Sequence, residues 1–370
     1  MLALRSALVC AVAAAALACK KAPPPAEPLS PDAPPILPSP EGTLYTLGED
    51  RPGDPLVAAV VDQGLLPWTE SLAGAATTLA LHTGAQPTLA AAQWAAVRAG
   101  YPHPVTTIIE GTEPPGTVPS ELLDALLPTV HIGDHVGLVR ARTAAGDRWV
   151  ALVGRPGADL DPFPREHLVG ATLEVTGNTL SPYVLVSPSG DMTRGSLPLT
   201  AALDEQGEWW LEFQATHADP TQVLGVPLYV GVPTPKAPTI PLDHDQSLPG
   251  PDELRDQALD ALYDVRSAFD RTEFIWDATL ATLASTPVQQ VLAGTWTQDQ
   301  GVKRLRAAGF VGGPAAQLSC TAPSVSACIT HLVQHADSRA HLLDPGLKLV
   351  GVAGEVRTSG ITLVLNLTSE

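Results

Sequence analysis

Positive charge is scarce in this sequence: 21 lysines and arginines stand against 39 aspartates and glutamates, a formal net charge of −18 over 370 residues. Such a surface repels the phosphate backbone and anionic headgroups, which excludes nucleic acid as a natural partner. Charge of either sign is sparse, at 16%, while hydrophobic residues make up 45%, so the chain carries the material of folded cores rather than the composition of a disordered segment. Bilayer-length apolar runs are missing too, since Leu8 to Leu17 is too short to span. No nucleophile elbow is present: Ser319 and Ser324 lack the Gly-x-Ser-x-Gly frame. Gly309, Gly312 and Gly313 have no Lys-Ser/Thr pair after them and read as a turn, not a phosphate loop. What is plentiful is proline, 37 residues, which stiffens the connecting chain. The length suffices for two or three domains of roughly 100–200 residues each.

The N-terminus has an export pattern. Arg5 is followed by the apolar run, and Ala16-Leu17-Ala18-Cys19 resembles a bacterial lipobox, in which cysteine directly follows small residues. Residues 1–18 therefore read as a lipoprotein signal peptide and Cys19 as the lipidated residue, the alternative being an ordinary secretory signal. Several acyl chains at one cysteine suffice for stable anchoring. Residues 19–52 form a Pro-rich stalk, and Lys20 and Lys21, in place of the aspartate that retains lipoproteins in the inner membrane, point to the outer membrane of a bacterial envelope. With Cys10 in the signal and Cys19 consumed by lipid, Cys320 and Cys328 are left as a pair in an oxidising compartment, for which a disulfide is the simplest reading. Two buried thiols are the alternative; a metal pair lacks the Cys-x-x-Cys clip.

Three folded regions follow. Residues 53–157 read as α/β: apolar residues at helical spacing from Leu65 to Leu81, a helix from Leu89 to Val97 ended by Gly100, a third capped by Ser120, then strands His135–Arg142 and Arg148–Val153 about a Gly146 turn. Residues 160–233 hold five short strands, Ala171–Thr176, Tyr183–Val186, Leu199–Leu203, Glu208–Ala215 and Val223–Val230, the spacing of an immunoglobulin-like sandwich. Trp209 and Trp210 then face opposite ways, one into the core and the other available as an exposed platform. Residues 234–250 are a second Pro-rich linker, in which Asp243-His244-Asp245 is a solvated polar stretch.

Residues 251–370 begin with an amphipathic helix on Leu254, Ala258, Leu262, Val265 and Phe269. A second follows Trp276 and stops before Pro287, a third runs from Ser324 to Ala340, and strands Lys348–Arg357 and Ile361–Thr368 close the chain. Within this region Ser338-Arg339-Ala340-His341-Leu342-Leu343-Asp344-Pro345, followed by Leu349-Val350-Gly351-Val352, and preceded by Arg304 to Phe310 and Ile275-Trp276-Asp277, resembles the signature of the CAP superfamily (SCP-like domains in bacteria). The resemblance implies an α-β-α sandwich, and a cleft whose two histidines and two glutamates suit a divalent metal. Here Ser338 and Gln317 fall on one histidine and one glutamate position. The implied site is an eroded cleft of Gln317, His335, Ser338, Arg339 and His341, with neither a metal nor a catalytic residue assigned.

The order of elements recurs along the chain. Trp68 then Leu72-Ala73 parallels Trp276 then Leu280-Ala281; Gly100-Tyr101 parallels Gly309-Phe310; Val136-Gly137 parallels Val350-Gly351. The first region is therefore expected to be a second, more eroded CAP-like repeat, making the whole chain α+β. His331 and His335, four apart on one helix, with His341 nearby, are the best case for a metal-dependent hydrolase, but Leu332 stands where a zincin needs its glutamate. His131 and His135 read as ordinary strand histidines. The expected function is a lipid-anchored, non-enzymatic envelope protein without cofactor, partnered by the membrane through its lipid and by an unidentified envelope protein, glycan or lipid. A purely structural spacer is the further alternative.

Overall fold

The structure is a computed structural model of the chain and describes residues 44–81, 87–215, 221–235, 249–250, 253–358 and 360–369. The expected signal segment, Cys19, most of the expected stalk, most of the expected second linker and Pro251-Asp252 lie outside the described residues.

Strand β1 (Leu44–Tyr45) comes first. Helix α1 (Pro55–Gly64) starts on Asp54, whose carboxylate accepts the Leu56 and Val57 N–H groups, and ends where Leu65 turns left-handed at φ 48. Then come α2 (Glu70–Ala80), α3 (Leu89–Arg98), β2 (Val105–Glu113), α4 (Ser120–Leu126), β3 (His135–Thr143) and β4 (Gly146–Gly154). Of the helix expected from Leu65 to Leu81 only Glu70–Ala80 forms, and the helix before it, α1, went unread in the sequence. Leu65 leaves the helical region, Pro67 has no N–H to give, and Trp68 bridges Val136 in parallel instead. The sheet order is β2-β4-β3. Strand β2, rich in threonine and isoleucine, went unread in the sequence.

The central module carries β5 (Asp159–Leu160), β6 (Phe163–Pro164), β7 (Glu166–His167), β8 (Ala171–Val175), β9 (Gly177–Asn178), β10 (Tyr183–Val186), β11 (Met192–Gly195), β12 (Leu199–Leu203), β13 (Gly207–Ala215) and β14 (Thr221–Val230). A five-stranded sheet runs β11-β10-β13-β14-β7, and β12 pairs with β8. Leu173, Val175, Leu199 and Leu203 from the smaller sheet share one core with Leu185, Trp209, Leu211 and Phe213 from the larger. Tyr45 reaches in from β1 and donates from its hydroxyl to the Pro227 carbonyl at 2.6 Å.

The last region comprises α5 (Glu253–Ala268), β15 (Ile275–Trp276), α6 (Ala278–Leu292), α7 (Gln298–Ala307), β16 (Ala315–Ala322), α8 (Val325–Val333), α9 (Ala336–Leu343), β17 (Leu349–Arg357) and β18 (Gly360–Thr368). The sheet is β15-β17-β18-β16. Side chains alternate across it: Ile361, Leu363, Leu365 and Leu367 join Leu254, Leu262 and Ile329 of α5 and α8, whereas Val364 joins Ala284 and Val288 of α6. Helices thus cover both faces, an α-β-α arrangement. Helix α6 runs through Pro287 rather than stopping before it. An interior proline costs roughly 3 kcal/mol, but Leu280, Ala284 and Val288 bury on both sides of it and hold the helix to the sheet.

The two flanking regions share more than element order. Asp277 N–H donates to the Val350 carbonyl at 2.8 Å, and Thr69 N–H to the Val136 carbonyl at 3.0 Å. Each neighbouring glycine is where a helix backbone touches the sheet: a Cβ on Gly137 would come within 2.3 Å of the Leu72 carbonyl, and one on Gly351 within 2.1 Å of the Leu280 carbonyl carbon. Gly146 and Gly360 open the last strand at φ 136 and 137, against the carbonyls of Glu113 and Ala322. Even the two non-glycine residues of positive φ among those described, Leu65 and Asp270, follow the first helix of each region. The regions differ in that the place of α9 is taken in the first by a single 3-10 turn, Leu127–Thr129, and Trp68 is buried while Trp276 is 40% exposed.

Candidate functional site

The helix expected from Ser324 to Ala340 is interrupted, and the interruption builds the site. Helix α8 ends at Val333 and α9 begins at Ala336. Glu212 of β13, 1% exposed, accepts the Ala336 N–H at 2.7 Å. A carboxylate at a helix N-terminus satisfies an orphan donor and complements the helix dipole. Glu212 also accepts from Gln214 Nε2 at 2.8 Å and from the Trp210 indole N–H at 3.4 Å. Helix α9 is thereby seated on the five-stranded sheet, with Ala336 and Ala340 against Val184, Val186 and Trp210. Trp210 is 6% exposed, so the exposed platform expected of one of the tryptophan pair does not exist: Trp209 fills the sandwich core and Trp210 lies under α9.

Above this seat is a cavity of about 480 Å³ walled by all three regions. Thr88, Leu89 and Gln93 come from the start of α3, Trp210 and Gly225 from the central sheet, and Thr330, His331 and Gln334 from the last region. Its volume and its place between domains are those of small-ligand sites. Gln93 is held by its own bonds, donating to the His103 carbonyl at 3.3 Å and accepting the Val105 N–H at 2.7 Å.

His331 and His335 meet edge to face, ring centroids 4.2 Å apart, and His335 Nδ1 lies 3.8 Å from Glu212. Their proximity comes from the turn between α8 and α9, not from four-residue spacing on one helix. His331 is exposed where it lines the cavity, yet the protein crowding its ring, and secondarily His335, lowers its pKa to about 4, with Glu212 acting the other way. His341, farther along α9, is also shifted down by burial, while Asp337 and Asp344 oppose the shift. Among the described residues no three histidine, cysteine, aspartate or glutamate side chains are grouped to hold a metal ion, so His331, His335 and His341 do not form the ligand set that the hydrolase alternative needs.

The members of the expected cleft are divided by the sheet. Arg339 is 1% exposed, donates to Glu208 Oε1 at 2.9 Å and lies over the Trp210 and Phe269 rings at 5.2 and 4.6 Å. Its role is to join α9 to the central module. Ser338 and His341 are partly buried on the same helix. Gln317 is on the opposite face, toward α6 and α7: its neighbours in sequence Ala316 and Leu318 enter the α5–α8 core, while its own amide accepts the Trp296 indole N–H at 2.8 Å and donates to Asn366 Oδ1 at 2.6 Å. Asn366 in turn donates to the Leu280 carbonyl at 2.9 Å. A Cβ on Gly301 would come within 2.3 Å of Gln317 Oε1, which explains a glycine inside α7. Cys320 and Cys328 are joined as a disulfide, pinning β16 to α8.

Sequence reasoning missed Glu212. The only available signal was its alternation with the two tryptophans, which cannot tell a buried acid from an exposed one.

No protein-family model matches the chain, and no curated protein matches it. Among solved structures it is similar to an extracellular protein containing an SCP domain from Bacillus anthracis str. Ames, at 15% identity over 55% of this chain and 68% of that one, with a TM-score of 0.28. It is also similar to a cysteine-rich secretory protein from Staphylococcus aureus subsp. aureus Mu50, at 10% identity over 54% and 80%, with a TM-score of 0.26. Likeness at this level carries no functional information about the chain.

Proposed function

We propose that the chain is a lipid-anchored, non-enzymatic binding protein of the bacterial cell envelope, made of two CAP-like domains gripping a β-module, and that it binds a small, largely apolar ligand at their three-way junction. The observation that carries this reading is the cavity of about 480 Å³ to which all three regions contribute walls. A pocket built from three regions and braced by Glu212 and Arg339 is preformed, which lowers the ordering cost of binding. The matching strand orders and glycine contacts of the flanking regions support descent from one duplicated domain, and the Arg304–Phe310 and Ser338–Pro345 runs support the CAP-like assignment. The anchor rests on Ala16-Leu17-Ala18-Cys19 and the outer-membrane address on Lys20-Lys21.

Two measurements test the reading. Metabolic labelling with an alkyne fatty acid should mark the wild-type chain and not a Cys19→Ser variant; equal labelling of both removes the anchor. Native mass spectrometry of the chain extracted from its own membranes should reveal a small molecule that is absent from an Ala327→Trp variant, whose indole would fill the cavity. An empty wild-type protein, or the same adduct on the folded variant, refutes the binding role.

A further inference from the structure

A second cavity, of about 610 Å³, lies between the first region and the β-module, and both His103 and His135 line it together with Tyr45, Phe163 and Asn178. Behind the two histidines lies Tyr101, and the three rings gather together. The centroid separations are 5.4 Å for Tyr101 to His103, 5.9 Å for Tyr101 to His135 and 6.1 Å for His103 to His135. Tyr101 is fully buried and His103 is 5% exposed, yet the buried Nδ1 of His103 has no hydrogen-bond partner. Orphaned buried nitrogens are rare in folded proteins and ask for an ion or a water to complete them. The backbone around His103 is fixed by the Gln93 side chain, which bonds the His103 carbonyl and the Val105 N–H, so the ring is placed rather than free. His135 uses Nδ1 toward the Tyr101 hydroxyl at 3.2 Å, which leaves Nε2 as its other coordinating nitrogen.

We propose that His103 and His135 bind a single transition-metal ion through imidazole nitrogen, and that the ion is cuprous copper. Imidazole is a ligand for copper and zinc. Zinc fills four positions and, at a protein site, takes at least three of them from side chains; among the described residues no third histidine, cysteine, aspartate or glutamate is grouped with these two. A closed-shell monovalent ion is satisfied by two neutral nitrogens and needs no third side chain. Tyr101 is a positioning residue: in the tautomer whose Nδ1–H its oxygen accepts, the His135 lone pair is on Nε2, the arrangement by which outer partners orient a metal-ligating histidine.

The test is an anaerobic titration of the detergent-solubilised full chain with Cu(I), held reduced by ascorbate and competed by bicinchoninate, with X-ray absorption of the loaded protein to read the donor atoms. One equivalent should bind through nitrogen donors only. His103→Gln and His135→Gln should each weaken binding by at least the roughly 10–100-fold that loss of a mere outer partner costs. Tyr101→Phe should retain the stoichiometry with a smaller loss. If His103→Gln does not fold, judged by circular dichroism, the part-buried His135 decides the matter alone. Sulfur donors, unchanged affinity in the folded variants, or zinc binding as tight as Cu(I) would each overturn the proposal.

Discussion

Arg339 of α9 and Glu208 of β13 form an ion pair at 2.9 Å with side chains only 2% and 12% exposed. The guanidinium also lies over Trp210 and Phe269, so one side chain ties the last region to the central module by charge and by ring contact. Arg339→Ala leaves Glu208 largely out of water without this partner, a change that typically costs about 3–5 kcal/mol. Arg339→Lys should not restore the loss, because an ammonium cannot reproduce a planar group laid on two rings. Urea unfolding followed by tryptophan fluorescence should show a lower midpoint in both variants. An Arg339→Ala midpoint within error of wild type would show that α9 is held by other contacts.

Gly137 and Gly351 should behave alike. Each lies directly beneath a helix backbone, at 2.3 and 2.1 Å from where its Cβ would sit, so alanine at either position forces α2 or α6 off the sheet. Overpacking of this kind costs about 1–3 kcal/mol. Gly312→Ala is the matched control, since nothing lies within 4 Å of a Cβ there. Thermal melts of the three variants check this; equal effects at Gly312 and Gly351 would contradict the close approach.

Reduction of Cys320–Cys328 removes the tie between β16 and α8 and should destabilise the last region by about 2–4 kcal/mol. The melting curve with and without reductant reads this directly, and a Cys320→Ser, Cys328→Ser variant should match the reduced protein. Superimposable curves would show that the short loop closed by the bridge is fixed without it.

Acid should destabilise the fold before the carboxylates titrate. Burial lowers the His103 pKa from 6.5 to about 3, and crowding of the ring lowers that of His331 to about 4. A folded-state value below the unfolded one means that the unfolded chain takes up more protons. Stability is therefore fully present above about pH 6.5 and falls as pH drops toward 3–4. His103→Gln should flatten the dependence of the melting temperature on pH across that window. A slope unchanged by the substitution would place the acid sensitivity elsewhere.

Local regularities in the chain were enough to find most elements. The α5 face on Leu254, Leu262 and Val265, the strands around Gly146 and Gly360, and the Trp–Leu-Ala and Val–Gly correspondences depend on periodicity and on glycines that only one geometry explains. The break between α8 and α9 depends on Glu212, more than a hundred residues away in sequence, and propensity alone continues the helix through Gln334 and His335. For the same reason the fate of Trp210 was illegible: alternation assigns its face, but only tertiary packing reveals that α9 covers it. Gln317 and Ser338 were matched as neighbours in a cleft, whereas the strand's two-residue period puts Gln317 on the α6–α7 face. Pro287 reads as a stop until the burial of Leu280, Ala284 and Val288 is known.

The most direct test of a ligand-binding junction is a fluorescence titration of the purified full chain with N-phenyl-1-naphthylamine, an uncharged aromatic probe of suitable size for the cavity, beside the Ala327→Trp and Arg339→Ala variants. The account predicts one saturable site in wild type, no saturable signal when the cavity is filled by tryptophan, and weakened binding when α9 is loosened from the β-module. Absence of saturable binding in wild type, or an identical isotherm for a folded Ala327→Trp variant, would contradict it.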